Sequence, residues 1–216
     1  MTELRSMKKV RNDINNWLAD NGYGKINTET PLNGGCINET SLISTTENRQ
    51  FFLKQKRNPP ANFFTAEASG LAAMEKSNTI RVPKVYQASD HFLLLEYLEP
   101  SPPHTAFWQN LGESLAMMHR EIAPSFGFEM DNYCGTTLQH NSTITDGHEF
   151  FARYRLMALG AAARDKGLLS ATDLKRASLL GKTEVSSGIE ISLPKEMKAF
   201  KSFSRQGPPK ENPGLR

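Results

Sequence analysis

An apolar run from Phe92 to Leu98 limits what this chain can fold into more than any other segment, because Glu96 is its only charged residue. Neighbouring side chains of a β-strand point to opposite faces of the sheet. A strand that is apolar at nearly every position is therefore expected to be buried on both faces. The prolines at 100, 102 and 103 follow at once, and proline cannot donate to a strand ladder. The run predicts an interior strand that ends at a proline-rich connector.

Short extended runs and helical stripes alternate before this strand. Apolar residues at positions 4, 7, 10, 14, 17 and 18 predict an amphipathic helix that ends near Asn21-Gly22. Strands are predicted over residues 28–32, 39–44 and 50–56, followed by a helix over 61–77 and a strand over 84–87. Together with the apolar run, this order predicts an α+β lobe over residues 1–98.

The residues after the connector have helical patterns instead. One apolar stripe is formed by Phe107, Leu111, Leu115 and Met118, and further helices are predicted over residues 150–163 and 171–180. A turn-rich segment over 124–141 separates the first stripe from the others. These elements predict a helical lobe over residues 99–180.

Three features of the first lobe fit together as a nucleotide site. Gly34 and Gly35 lie between two predicted strands, Lys54 lies inside the third strand, and Glu67 lies on the following helix. Each has an ordinary explanation: a glycine pair forms a hairpin turn, a strand lysine faces solvent by alternation, and a helix glutamate is a surface residue. In the protein-kinase plan, however, a Gly-rich loop covers the phosphates and a third-strand lysine contacts them while a helix glutamate holds it. Their order favours this plan.

The connector completes the pattern of a kinase-like fold. In that fold the segment after the last strand of the sheet is the hinge, whose backbone groups hydrogen-bond the adenine edge. Here Glu96, Tyr97, Leu98 and Glu99 occupy that place. We therefore predict that they contact adenine.

On these residues the chain resembles the fructosamine kinase (ketosamine-3-kinase) family, which is related to aminoglycoside and choline kinases. The resemblance runs from about residue 6 to about residue 180. Its Gly135-Thr136-Thr137 segment is fairly specific, because generic kinases lack it. The other matching strings cover residues 34–38, 51–54, 64–68, 82–85, 95–98, 111–112, 115–116, 118–119, 126–128, 131–133, 139, 141 and 149–156.

This resemblance implies a protein-kinase-like lobe with a five-stranded antiparallel sheet and a helix, followed by the first helices of an incomplete helical lobe. The implied activity is ATP-dependent phosphorylation of the sugar 3-hydroxyl of ketosamines, which are glycated amines or proteins, with Mg²⁺ as the expected metal. Lys54 and Glu67 become the phosphate-binding ion pair. The residues that cover the phosphates become Gly34, Gly35, Cys36, Ile37 and Asn38.

The resemblance also shows what this sequence lacks. Family members carry a His-Gly-Asp-Leu-Trp-like catalytic loop and then an aspartate that holds magnesium, and phosphoryl transfer needs both carboxylates. Here the last histidine is His148 and the last aspartate is Asp173. We therefore expect no catalytic loop, no metal ligands and no turnover in the chain as given.

The composition changes near Gly181. Residues 181–216 are rich in Ser, Gly, Pro and Lys and have no clear period, which is typical of sequence that does not form a packed core. Our hypothesis is that the reading frame changes near residue 181. Resequencing and translation of the other frames test it, and it fails if no kinase-like catalytic loop appears downstream.

Two cysteines and one histidine are further candidates for a functional role. Cys36 and Cys134 form no metal or disulfide motif, so reduced thiols are expected. Cys36 is either a small residue in a tight loop or, as the family resemblance implies, a redox-sensitive thiol that forms a dimer between chains. His119 ends a predicted helix, where a structural role is the usual one.

Composition excludes some classes of partner. The formal net charge is only +3 and is diffuse, which argues against a nucleic-acid-binding protein. No apolar run approaches the ~20 residues of a membrane-spanning helix, so a cytoplasmic location is predicted. Three functional classes stay open: an active ketosamine kinase, a pseudokinase-like module that binds nucleotide or a partner, and a nonfunctional remnant.

Overall fold

The structure is a computed structural model and describes residues 2–32, 38–176 and 178–179. Up to residue 96 its elements follow the predicted order, with bounds shifted by a few residues. The elements are α1 (Thr2–Asp20), β1 (Ile26–Pro31), β2 (Glu39–Thr45), β3 (Gln50–Gln55), α2 (Phe63–Lys76), β4 (Val85–Ala88), β5 (Phe92–Glu96), α3 (Phe107–Met118), β6 (Asn132–Cys134), β7 (Thr137–Gln139), α4 (Gly147–Phe150), a π-helical segment (Phe151–Met157) and α5 (Ala158–Asp165).

The first five strands form one antiparallel sheet in the order β1-β2-β3-β5-β4. The predicted fold class, a kinase-like five-stranded sheet with helices after it, is confirmed. Strand β3 lies in the middle of this order, so Lys54 is paired on both sides, with Thr40 of β2 and Leu93 of β5. The division of the chain at residue 98 stays a prediction, and residues 181–216 lie outside the described residues.

Helices cover both faces of the sheet, which explains the apolar run that becomes β5. On one face Phe92 and Leu94 join a cluster with the apolar stripe of α1. On the other face Leu93 and Leu95 pack against Phe63 and Phe64 of α2. All four β5 residues are at most 5% exposed. The expectation of a strand buried on both faces is therefore confirmed.

The helices after the connector are less buried. Helix α3 follows the predicted stripe, yet it contains no buried residue within the described part of the chain, and Trp108 is 71% exposed. The helix predicted over residues 150–163 is interrupted by the π-helical segment. No described helix is both long and apolar enough to cross a membrane.

The turn-rich segment over 124–141 contains a β-hairpin that the sequence pattern did not predict. Strands β6 and β7 pair antiparallel around Gly135, whose positive φ of 64° suits a glycine at the turn. We call residues 129–141 the hairpin segment. Asp131 fixes it, because its carboxylate accepts the backbone N–H of Asn141 at 2.8 Å and is joined to His140 Nδ1 at 2.8 Å.

These hydrogen bonds make the stability of the hairpin segment dependent on pH. The backbone N–H of Asn141, and then the side chain of His140, hold the pKa of Asp131 below its ordinary value of 3.8. Because the folded-state pKa is the lower one, the carboxylate stabilises the fold above pH 3.8. This stabilisation is lost as the pH falls through the folded-state pKa.

We expect Asp131→Asn to lower the free energy of unfolding at neutral pH by about 1 kcal/mol or less, because the side chain is 44% exposed. The difference from the wild type should shrink as the pH falls well below 3.8. Urea unfolding at a series of pH values measures it, with exposed Asp90→Asn as the matched control. A difference that grows on acidification would contradict the assignment.

Candidate nucleotide-binding site

Lys54 lies on the face of the sheet that packs against α2. Opposite residues of antiparallel strands share a face, and the partner of Lys54 on β5 is Leu93, which belongs to the α2 cluster. The lysine side chain is 22% exposed and forms an ion pair with Glu67. Lys54 therefore does not simply face solvent, as strand alternation alone would allow.

Glu67 reaches Lys54 because α2 is anchored on the sheet beside it. Phe64 and Ala66, which precede Glu67, are at most 3% exposed, and Leu71 packs on the same cluster. The Glu67 side chain is 31% exposed, so the pair lies at the edge of the core and is open to solvent. A lysine side chain has high rotamer entropy. Because the Glu67 carboxylate already restricts the rotamers of Lys54, less conformational entropy is lost when Lys54 binds a phosphate.

The last residue of β5, Glu96, from which the connector continues, lies three residue pairs along the sheet from Lys54. Glu96 of β5 lies opposite Phe51, whereas Leu93 lies opposite Lys54, which places the two sites about 10 Å apart along the sheet. Such a span suits the adenine and phosphate ends of one nucleotide. Tyr97 is half-buried, and Leu98 and Glu99 are exposed and belong to no helix or strand.

The side chain of Glu96 has a structural role. Its carboxylate accepts hydrogen bonds from Arg81 Nη2 at 2.7 Å and from the backbone N–H of Lys84 at 3.2 Å. These contacts tie the end of β5 to the segment before β4. The backbone N–H of Glu96 also donates to the carbonyl oxygen of Lys84, at 2.8 Å. The candidates for contact with adenine are therefore the carbonyl oxygen of Glu96 and the backbone groups of residues 97–99.

The glycine-rich loop joins the sheet next to Lys54. Thr40, the β2 partner of Lys54, accepts the Leu32 backbone N–H at 2.9 Å through its carbonyl oxygen. Gly34, Gly35, Cys36 and Ile37 lie outside the described residues. Asn38 is described, and its Oδ1 atom is buried without a hydrogen-bond partner among the described residues.

The arrangement can hold a polyphosphate. It offers the partly buried ammonium group of Lys54, the carboxylate of Glu67 that orients it, and a connector that starts about 10 Å from Lys54 and can contact the adenine ring of the same nucleotide. Asn38 adds a buried polar atom at the base of the loop. These residues fit ATP. A metal is different: no three His, Cys, Asp or Glu side chains of the described residues cluster closely enough to hold one.

The family model for fructosamine kinase matches residues 9–186, most of the chain. The chain belongs to the fructosamine kinase family. A probable ketoamine kinase of Enterococcus faecium is 40% identical over 130 residues, which cover 58% of this chain and 45% of that protein. The chloroplastic protein-ribulosamine 3-kinase of Arabidopsis thaliana is 34% identical over 163 residues, which cover 71% of this chain and 49% of that protein.

Family membership extends to the fold. A crystal structure of a candidate fructosamine-3-kinase from Haemophilus somnus 129PT superposes with a TM-score of 0.71 at 28% identity, covering 82% of this chain and 62% of that one. This chain spans about half the length of the curated relatives it matches. These relatives are named as kinases, and the family resemblance stated from the motifs of this chain is confirmed.

Proposed function

We propose that this family member binds ATP for the phosphorylation of the sugar 3-hydroxyl of ketosamines, the glycated amines or proteins; the transfer step itself needs carboxylates that the sequence as given does not contain. The observation that carries the proposal is the ion pair of Lys54 with Glu67 beside the connector. The name of the Arabidopsis relative, a protein-ribulosamine 3-kinase, supports the class of substrate and the position of the hydroxyl.

Within this proposal the chain's own residues bind and orient ATP. Lys54 contacts the phosphates, Glu67 holds Lys54, and the backbone of residues 96–99 receives the adenine. Gly34, Gly35, Cys36, Ile37 and Asn38 cover the phosphates. The described residues contain no group of three His, Cys, Asp or Glu side chains that could hold a metal ion, so none of these roles involves Mg²⁺.

A second candidate function is a nucleotide-binding module that does not turn over. The observation in its favour is that no aspartate follows Asp173 in the sequence and no histidine follows His148. One carboxylate must orient the attacking hydroxyl and another must hold the metal during phosphoryl transfer. For the chain as given, binding without transfer is therefore the expected behaviour.

The test compares ATP binding with phosphate transfer. We expect the melting temperature to rise by a few degrees with ATP and Mg²⁺, and no phosphate to reach a glycated lysine substrate. Sodium chloride at the same ionic strength is the control for ionic effects. Turnover would refute the claim of missing carboxylates, whereas the absence of both effects would refute nucleotide binding.

Two further expectations stay predictions. Cys36 lies outside the described residues, so the redox-dependent dimer through this thiol rests on the family resemblance alone; Cys134 is an exposed free thiol on β6. The cytoplasmic location rests on composition. The Arabidopsis relative is chloroplastic by name.

A further inference from the structure

The hairpin segment contacts α2 on both sides of Glu67. Before Glu67, the hydroxyl of Tyr133 donates to the carbonyl oxygen of Ala61 at 2.9 Å, and its ring lies 5.3 Å from the ring of Phe63. After Glu67, the hydroxyl of Ser69 donates to the carboxylate of Glu129. Glu67 therefore lies between two attachment points.

The first attachment lies where α2 has no side-chain cap of its own. Asn62 stands at the N-cap with a positive φ of 59° and makes no side-chain capping hydrogen bond. Phe63 is four residues before Glu67, so the two lie on the same side of the helix. Tyr133 thus contacts the first turn of α2, whose position determines where the Glu67 side chain points.

The hairpin segment is itself held from the helical part of the chain. Asn141 is 2% exposed; its Nδ2 donates to the carbonyl oxygen of Met130 at 3.1 Å, and its Oδ1 accepts from Arg155 of the π-helical segment. Arg155 also donates to the carbonyl oxygen of His140 at 2.9 Å. A continuous set of contacts runs from the π-helical segment through the hairpin segment to α2.

We propose that the hairpin segment positions α2 so that Glu67 pairs with Lys54, with Tyr133 as the positioning residue. The inference rests on the proposed role of this pair in phosphate binding, but it concerns how the pair is held. It makes the orientation of Lys54 depend on residues of the helical part of the chain that lie far away in sequence.

The test measures how freely Lys54 reacts with an amine-acetylating reagent in the full chain without ATP. A lysine paired with a carboxylate reacts slowly, because its ammonium group is held and shielded. We expect Tyr133→Phe, which keeps the ring and removes the hydroxyl, to raise the acetylation rate of Lys54 about 2-fold to 10-fold, as the loss of one hydrogen bond implies. Mass spectrometry reads the rate at Lys54 against that at exposed Lys25.

Matched variants separate positioning from a general loss of structure. Tyr86→Phe removes a hydroxyl from the cluster on the α1 face and should leave the Lys54 rate unchanged. Glu67→Gln should raise the rate by itself, and adding Tyr133→Phe to it should then change little. An unchanged Lys54 rate in Tyr133→Phe, or an equal further rise on the Glu67→Gln background, would overturn the proposal.

The result is separable from that of the proposed function, because acetylation requires no nucleotide. If the chain fails to bind ATP but Tyr133→Phe raises the Lys54 rate, the proposed function fails and the positioning role stands. If ATP binds and the Lys54 rate does not respond to Tyr133→Phe, only the positioning role fails.

Discussion

Replacing Lys54 with methionine is expected to lower the affinity for ATP about 10-fold to 100-fold, which is the usual effect of losing a hydrogen bond to a charged group. Lys54 is the partly buried cation that Glu67 holds on the face of the sheet that packs against α2. Methionine keeps an unbranched apolar stem of similar length, so packing between Thr40 and Leu93 should survive. Isothermal titration calorimetry at fixed ionic strength measures the change.

Two variants make this result specific. Lys25→Met removes an exposed positive charge outside the site and should leave the affinity within about twofold of the wild type, because exposed charges are screened by salt. Glu67→Gln keeps Lys54 but loosens it, so its loss should be smaller than that of Lys54→Met. Equal affinities of Lys54→Met and Lys25→Met would rule out Lys54 as a phosphate ligand.

The sheet could be predicted from sequence because its signals are local and redundant. The run from Phe92 to Leu98 is apolar at every position except Glu96 and is followed by prolines, and a run of this length and setting favours a strand buried on both faces. The strand ends two residues earlier than predicted, at Glu96, whose carboxylate accepts hydrogen bonds from Arg81 and Lys84. The succession of strands and one helix along the chain could be predicted from the alternation of these runs, whereas the five-stranded antiparallel sheet was predicted from the family resemblance.

The Lys54–Glu67 pair was only partly predictable. Alternation along β3 shows that Lys54 and Phe52 share a face, but it does not show which face α2 covers. The order of the motifs and the resemblance to a family supplied that choice, and the packing of α2 against Leu93 then explains it. The loop residues 34–37 lie outside the described part of the chain, so their role stays a prediction.

The hairpin segment could not be predicted by the same means. Strands β6 and β7 have three residues each, which is too short for a period of two to be distinguished from a turn. Their stability comes from contacts that are distant in sequence, such as Arg155 with Asn141 and Tyr133 with Ala61. Periodicity carries no signal for such pairs, and the same holds for the π-helical segment.

The two faces of the sheet should respond differently to mutation, because only the α2 face carries the site. Phe51 lies on the α1 face, 1% exposed, with its ring 5.2 Å from that of Tyr23 and 5.0 Å from that of Tyr86. Phe51→Ala is expected to lower the free energy of unfolding by about 3–5 kcal/mol, from lost burial and the cavity left behind. That is a large part of the total stability of a typical small domain.

Urea unfolding followed by circular dichroism measures this loss, with Phe151→Ala as the matched control. Phe151 is 51% exposed, so its removal should cost about 1 kcal/mol, in proportion to the smaller buried area. Below the unfolding transition, the folded fraction of Phe51→Ala should keep its affinity for ATP, since Lys54 projects from the other face. Equal losses of stability in the two variants would show that the α1 face is not the core that supports the sheet. A loss of affinity in folded Phe51→Ala would show instead that the site depends on both faces.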